Sequence, residues 1–315
     1  MEATSPRERL LILAAFGAIY FIWGSTYLVN YFAIQDIPPF LMSGIRFGIA
    51  GSLLLAVSLF LGQPWPTAEH WKYGFITGFL FLALGTGLVV WAEQFIDTGL
   101  VALFVAFQPL VIVLMVWIRR GQRPAWNSFF GVALGVVGMI LLVGQPKLIA
   151  GHQTWWGIAA IAIGILSWAF ASLYVTEVNL PASRMQASAM QMVGAGIVLT
   201  LAGLLTGEGA AFDLAAVSLR GWLSFLYLIF AGSILAFSAF NYLLVRVAPE
   251  RVSTSNYVNP VVAMFLGWAF NNEQVSGQSI LAAGLLLGGV LFINSRFVRG
   301  RSEKGPLLKG VGNRE

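Results

Sequence analysis

Two amide–proline pairs, Gln108-Pro109 and Asn259-Pro260, stand 151 residues apart in apolar surroundings. Proline inside a helix removes one backbone hydrogen bond and frees the carbonyl four residues back, here at Val105 and Asn256. In a helix bundle such carbonyls can face a cavity and hold water or a polar ligand. A packing kink explains either proline alone; two at matched places favour hinges beside a cavity. Asn256 and Asn259 lie one turn apart beside Pro260, and amides in apolar surroundings need partners.

Other side chains suit the same cavity. Tyr20, Trp23 and Tyr27 share one helix face at i, i+3 and i+7. Trp91, Gln94, Trp168, Asn241, Tyr242 and Tyr257 stand within or at the ends of other apolar runs. Aromatic walls with a few amides and hydroxyls fit a small amphipathic or zwitterionic ligand, with ordinary helix packing as the competing reading for each aromatic. Arg46 lies deep in an apolar run, where a charge is costly and marks a functional position by default. Pairing with Asp36 or with free carbonyls competes evenly with a gating or ligand-contact role. Glu93, Asp97 and Glu273 are the acids nearest hydrocarbon; Glu93 could carry a proton, but hydration at a membrane interface is the commoner state of such an acid and the expected one here. No carboxylate falls at a midplane position.

The chemistry that is absent narrows the class. His70 and His152 are the only histidines and there is no cysteine, so neither a metal site nor a cofactor is expected, and an enzyme is the weaker reading. No Gly-x-x-x-x-Gly-Lys-Ser/Thr motif offers direct ATP drive. Every lysine falls in a loop or tail, which argues against a phosphate-ester ligand and for one of low net charge.

The elements that position these residues must be membrane helices. With 58% hydrophobic and 10% charged residues the chain is too apolar for a soluble domain, in which about 25% are charged. Apolar runs of roughly twenty residues, each enough to cross the hydrocarbon layer as a helix, recur from end to end. Hydropathy predicts an all-α polytopic membrane protein with ten transmembrane helices, near 10–31, 39–61, 73–93, 99–118, 127–144, 156–176, 183–205, 222–244, 252–270 and 279–297. Tryptophans 65, 71, 126, 155, 156 and 222 stand near span ends, as interfacial anchors do. With the N-terminus inside, the inner segments hold 15 of the 18 basic residues and the outer ones only Lys147 and Arg220, which predicts cytoplasmic N- and C-termini. The same placement favours a topological role for the basic excess over nucleic-acid binding.

Shifting the chain by 151 aligns Pro109 with Pro260, Trp117 with Trp268, Ser128 with Ser279 and Gly138 with Gly289, so the chain reads as two copies of one unit. The units are 10–144 and 156–297, joined by an extracytoplasmic connection, 145–155, and flanked by cytoplasmic segments 1–9 and 298–315. Five spans per unit is odd, so the second unit is inverted. The loop Ile118–Arg123 carries three positive charges where its counterpart Ala269–Gln274 carries none, as inversion requires. Inverted repeats place a substrate at their interface near the midplane. Gly131-x-x-x-Gly135 and Gly284-x-x-x-Gly288 suit intramolecular packing as well as a dimer, so the oligomeric state stays open.

Trp23-Gly24-Ser25, Arg46-Phe47, the two amide–proline pairs and Asn272-Glu273 after span nine, in this order and spacing, resemble the EamA-type drug/metabolite transporters. The resemblance runs to about residue 297. It implies a carrier of small metabolites in a bacterial inner membrane, and the aromatic-rich composition is most similar to the aromatic amino-acid exporters. The family pattern at Asn272-Glu273 is Gly-Glu; in the first unit Gln122 replaces that acid, so a role for the acid is not carried over there. The expected partners are a small-molecule substrate and the lipid bilayer, and the expected mechanism is alternating access, with Pro109, Pro260 and Arg46 at hinges or gates. A multidrug or lipophilic-cation exporter is the alternative, followed by an integral-membrane enzyme and then by a channel.

Overall fold

The computed structural model of the chain describes residues 6–121, 126–143, 153–247 and 255–300. Among these the long helices are, in chain order, α1 (Arg7–Ile34), α2 (Pro39–Phe60), α3 (Ala68–Ala92), α4 (Thr98–Arg119), α5 (Trp126–Val143), α6 (Thr154–Tyr174), α7 (Arg184–Leu205), α8 (Leu219–Phe240, helical on to Arg246), α9 (Ser255–Asn271) and α10 (Gly277–Gly300). Seven of them, α1 to α4 and α6 to α8, are long and apolar enough to cross a membrane. The other three carry shorter apolar segments, Phe129–Leu142, Val258–Asn271 and Gly277–Gly289.

Local signals set the helix limits. Pro39 opens α2 at a position that needs no amide donor. Thr67 and His70 form a reciprocal cap at the start of α3, and Ser183 and Ser218 cap α7 and α8 through Gln186 N (3.4 Å) and Gly221 N (3.1 Å). Gly62 and Gly207 follow α2 and α7 with φ of 83° and 85°, the left-handed turn that ends a helix without a Cβ penalty.

Three helices are wound more loosely over part of their length. π-helical segments occupy Ala18–Ile22 in α1, Phe79–Gly87 in α3 and Leu228–Leu235 in α8. The segments of α3 and α8 overlap when the chain is shifted by 151. A second echo follows α4 and α9: Gly121 (φ 65°) and Asn272 (φ 53°) both adopt the left-handed conformation.

Long contacts join α2 to α7 and α5 to α10. At the first, a Cβ on Gly196 would lie 2.6 Å from the Gly48 nitrogen, so only glycine permits this approach. One core gathers Met42, Phe47, Leu54, Leu82, Met192, Leu199 and Leu228; another gathers Val101, Leu103, Phe104, Ile161, Leu142 and Leu286. Large apolar side chains elsewhere face outward, Phe60 at 91% and Leu205 at 87% exposure among them, as lipid-facing surface requires. Trp65, Trp126, Trp155 and Trp156 are exposed near helix ends.

Hydrogen bonds between loops define the two ends of the bundle. The loops after α1, α3, α7 and α9 meet at one end, here the far end. The start of α1 and the loops after α2, α4, α6 and α8 meet at the other, the N-terminal end. The connection 145–155 lies mostly, and the tail beyond Gly300 wholly, outside the described residues.

Candidate central cavity

Within the bundle lies a cavity of about 350 Å³ lined from α1, α2, α3, α4, α6, α7, α8 and α9. Trp23, Phe47, Trp168, Phe237 and Phe240 supply aromatic walls; Thr26, Tyr27, Asn30, Arg46, Thr86, Gln108, Ser233, Ser255 and Asn259 supply polar groups. A volume of this order, mostly apolar with a few converging polar groups, is what a small-molecule site needs.

All three π-helical helices contribute at or beside their loosened turns, through Trp23 and Thr26, through Leu82, Gly85 and Thr86, and through Gly232 and Ser233. Such segments occur frequently at functional sites, because they leave carbonyls for other donors. Those donors are present: Trp23 Nε1 donates to the Gly232 carbonyl (3.3 Å), and Ser167 Oγ to the Leu80 carbonyl (2.8 Å). In the amide orientation that pairs donors with acceptors, Asn259 Nδ2 donates to the carbonyls of Ile19 (3.2 Å), Tyr20 (3.1 Å) and Ser255 (3.1 Å). The amide that a proline-flanked site calls for is thus bound to the π-helical turn of α1 while its side chain lines the cavity.

Arg46 is the charged residue of the lining. Its Nε donates to Ser233 Oγ (2.9 Å) and its Nη1 to Asn30 Oδ1 (3.0 Å), with the guanidinium 4.9 Å from the centre of the Phe47 ring. Of the readings open for Arg46, pairing with Asp36 does not form: Asp36 instead accepts from the backbone N and hydroxyl of Ser218 at the start of α8. Arg46 is therefore held by neutral oxygens from α1 and α8, and its positive charge is left to the cavity.

Trp23, Tyr27, Gln108, Trp168, Asn259 and Arg46 converge on the cavity. Tyr20 does not; it packs on Phe16, in the cluster around Ile19 and Leu243. Tyr242 belongs to that same cluster and lies under Arg246. Trp91 packs edge-on against Phe95, and Gln94 is exposed with its amide on the Trp91 carbonyl (2.9 Å). The side chains of Asn241, Asn256 and Tyr257 lie outside the described residues. Thr26, Asn30, Thr86, Ser233 and Ser255 were not singled out by sequence, because small polar residues in apolar helices usually bond their own backbone.

The prolines differ from one another. At Pro109 the helix is interrupted: one segment ends at Val105, a second begins at Gln108, and Pro109 sits in its first turn. It is thus a helix-start proline and not the mid-helix one expected. Pro260 is buried within the continuous helix Ser255–Asn271. Val105 and Gln108, on either side of the interruption, both line the cavity.

Two acids behave otherwise than the sequence suggests. Glu93, expected to be hydrated, is 1% exposed. Glu273, 8% exposed, accepts from Thr98 N (3.0 Å), Thr98 Oγ1 (2.8 Å), Gly99 N (3.1 Å) and Asn271 Nδ2 (3.2 Å), capping the start of α4. The left-handed Asn272 makes the turn that delivers it, which is a physical reason for glycine at that place in the resembling family.

The family model of the EamA-like transporter family matches residues 9–144 and 155–295. The uncharacterized inner membrane transporter YedA of Escherichia coli is 37% identical over 288 residues, covering 91% of this chain and 92% of the relative. A probable amino-acid metabolite efflux pump of Escherichia coli is 23% identical over 284 residues, with 87% and 91% covered. A solved crystal structure aligns with a TM-score of 0.61 at 20% identity, over 93% of this chain and 99% of its own, which speaks to the fold alone. With a cavity inside a bundle of apolar helices and the family matched over both halves, the chain is a multi-pass membrane protein that belongs to the EamA-like transporter family.

Proposed function

We infer that the protein is a secondary carrier of small zwitterionic metabolites, amino acids and aromatic ones first among them, in a bacterial inner membrane. The observation that carries this reading is the aromatic-walled cavity of about 350 Å³ with the Arg46 guanidinium on its lining. A carboxylate finds a bidentate-capable donor there, an aromatic side chain finds Trp23, Trp168, Phe237 and Phe240, and a lipophilic cation would meet a like charge. The name of the efflux-pump relative supports an amino-acid substrate, and that of YedA supports the inner membrane.

In this proposal the chain crosses ten times as two inverted five-helix units with both termini cytoplasmic, and works as an exporter or facilitator. The units rock about the cavity, and α4 bends at its interruption beside Pro109. Pro260, inside an unbroken helix, supplies the matching flex point when the cavity opens the other way. Replacement of Pro109 and of Pro260 by alanine is expected to lower turnover; unchanged turnover in both would remove the hinges. The substrate is tested by flux of labelled phenylalanine, tryptophan and other neutral amino acids into liposomes holding the purified protein. Saturable uptake is expected, and no flux of any amino acid by folded protein would remove the substrate assigned.

A further inference from the structure

We propose that the cavity prefers aromatic monocarboxylates that carry no free ammonium group, such as 3-phenylpropionate and the 2-oxo or N-acyl relatives of aromatic amino acids, over the amino acids themselves. This rests on the reading that the cavity binds a small carboxylate-bearing substrate, and it names the net charge which that substrate carries.

The donor for a carboxylate is already in place. Arg46 is 5% exposed, with its Nε and Nη1 held by Ser233 Oγ and Asn30 Oδ1. Its Nη2 has no hydrogen-bond partner among the described residues, yet it is not sealed off as the unpartnered Ser43 Oγ and Glu93 oxygens are. Its open side is the cavity, which Arg46 lines. Gly232, in the same lining, keeps that side clear, since a Cβ there would come to 3.5 Å from Nη2. Both Nη2 hydrogens are thus offered to a ligand by a guanidinium whose plane the other nitrogens fix. A carboxylate is the group such a fork takes.

An ammonium group finds no such counterpart. No described Asp or Glu lines the cavity. Of the buried acids, Glu273 is taken by its donors at the start of α4. Glu93 lies off the lining with no hydrogen-bond partner on either oxygen, the surroundings of an uncharged carboxyl group. The polar groups of the lining other than Arg46 are neutral, and several are engaged. Thr26 Oγ1 donates to the Trp23 carbonyl (2.7 Å), Ser233 and Asn30 accept from Arg46, and Asn259 Nδ2 is on carbonyls of α1. In an α-amino acid the ammonium nitrogen stands two bonds from the carboxylate carbon. Seating that carboxylate on Nη2 therefore brings a second positive charge beside Arg46, and in apolar surroundings the two repel. A monoanion cancels the charge of the site, a zwitterion leaves it positive, and an amine adds to it.

The experiment is calorimetric titration of the full chain in detergent at pH 7 with 3-phenylpropionate, L-phenylalanine and phenethylamine. The three share a phenyl ring on a short chain and differ in net charge. The dissociation constant of 3-phenylpropionate is expected to lie about tenfold or more below that of L-phenylalanine, and phenethylamine is expected not to bind. Asn30→Asp places an acid at the atom that already accepts from Arg46 (3.0 Å), with almost no change of shape. It is expected to weaken 3-phenylpropionate about tenfold or more and to erase its lead over L-phenylalanine; an unchanged lead overturns the proposal. Equal or tighter binding of L-phenylalanine by the wild type also overturns it, and leaves the amino-acid carrier standing. Because that comparison needs no variant, failure of Asn30→Asp to fold would not rescue the proposal. Binding of 3-phenylpropionate without L-phenylalanine upholds it and removes amino acids as the substrate; binding of neither removes both.

Discussion

The two ends of the bundle are fastened by different chemistry. At the far end three carboxylates reach across loops to the starts of helices: Glu273 to α4, Glu208 to the Phe40 and Leu41 amides of α2 (3.3 and 2.8 Å), and Asp36 to Ser218 before α8. Each places a negative charge where the helix presents free N–H groups and the positive end of its dipole. At the N-terminal end the ion pairs among the described residues are Arg119 to Glu177 at 2.7 Å and Arg246 to Glu8 at 3.9 Å, each with both side chains more than a third exposed, and the neutral Gln186 Nε2 donates to the Pro64 carbonyl (2.8 Å). Ion pairs of that kind contribute about 0–1 kcal/mol. Charge-assisted bonds to the buried Glu273 contribute more and are costly to leave half made, while Asp36 and Glu208 are only partly buried. The contrast points to a far end more firmly tied than the N-terminal end.

The strongest way to break the comparison is Glu273→Ala. Four donors lose their acceptor in a place that is 8% exposed, and a loss of about 1–3 kcal/mol is expected as a lower unfolding midpoint in detergent. An unchanged midpoint would mean that the far end is not held by this cap. Glu208→Ala removes a cap that is only partly buried, and about 1 kcal/mol is expected by the same measurement. The smallest effect belongs to Arg119→Ala, at most about 0.5 kcal/mol for an exposed pair. If it proved as damaging as Glu273→Ala, the two ends would be equally fastened and the contrast would fall.

What the sequence revealed follows from where its rules apply. Hydropathy located the helices because lipid-facing surface must be apolar along a whole span. It located Trp23, Tyr27, Gln108, Trp168 and Arg46 because large polar or amphipathic side chains in such spans face inward. Four expected residues that the structure places outside the cavity lie in or beyond loosened turns. Tyr20 lies in the π-helical turn of α1, Trp91 and Gln94 follow that of α3, and Tyr242 follows that of α8. Face assignments assume 3.6 residues per turn, or about 100° per residue. One extra residue in a turn therefore splits the expected face of Tyr20, Trp23 and Tyr27, of which the latter two line the cavity. Nothing in Phe79–Gly87 marks that winding at the level of residue types. Glu93 was read as hydrated from its place after a helix end, yet it is 1% exposed.

The family assignment rests on both halves of the chain. Beyond it, the central claim is that one cavity is offered to the two sides in turn. Counterflow tests it most directly: liposomes holding the protein are loaded with unlabelled L-phenylalanine and diluted into a trace of labelled L-phenylalanine. A carrier with one alternating site will accumulate label transiently above its equilibrium level, with the overshoot abolished when the lumen is empty. Label that enters without overshoot, at a rate indifferent to the internal amino acid, would describe a channel and contradict the account.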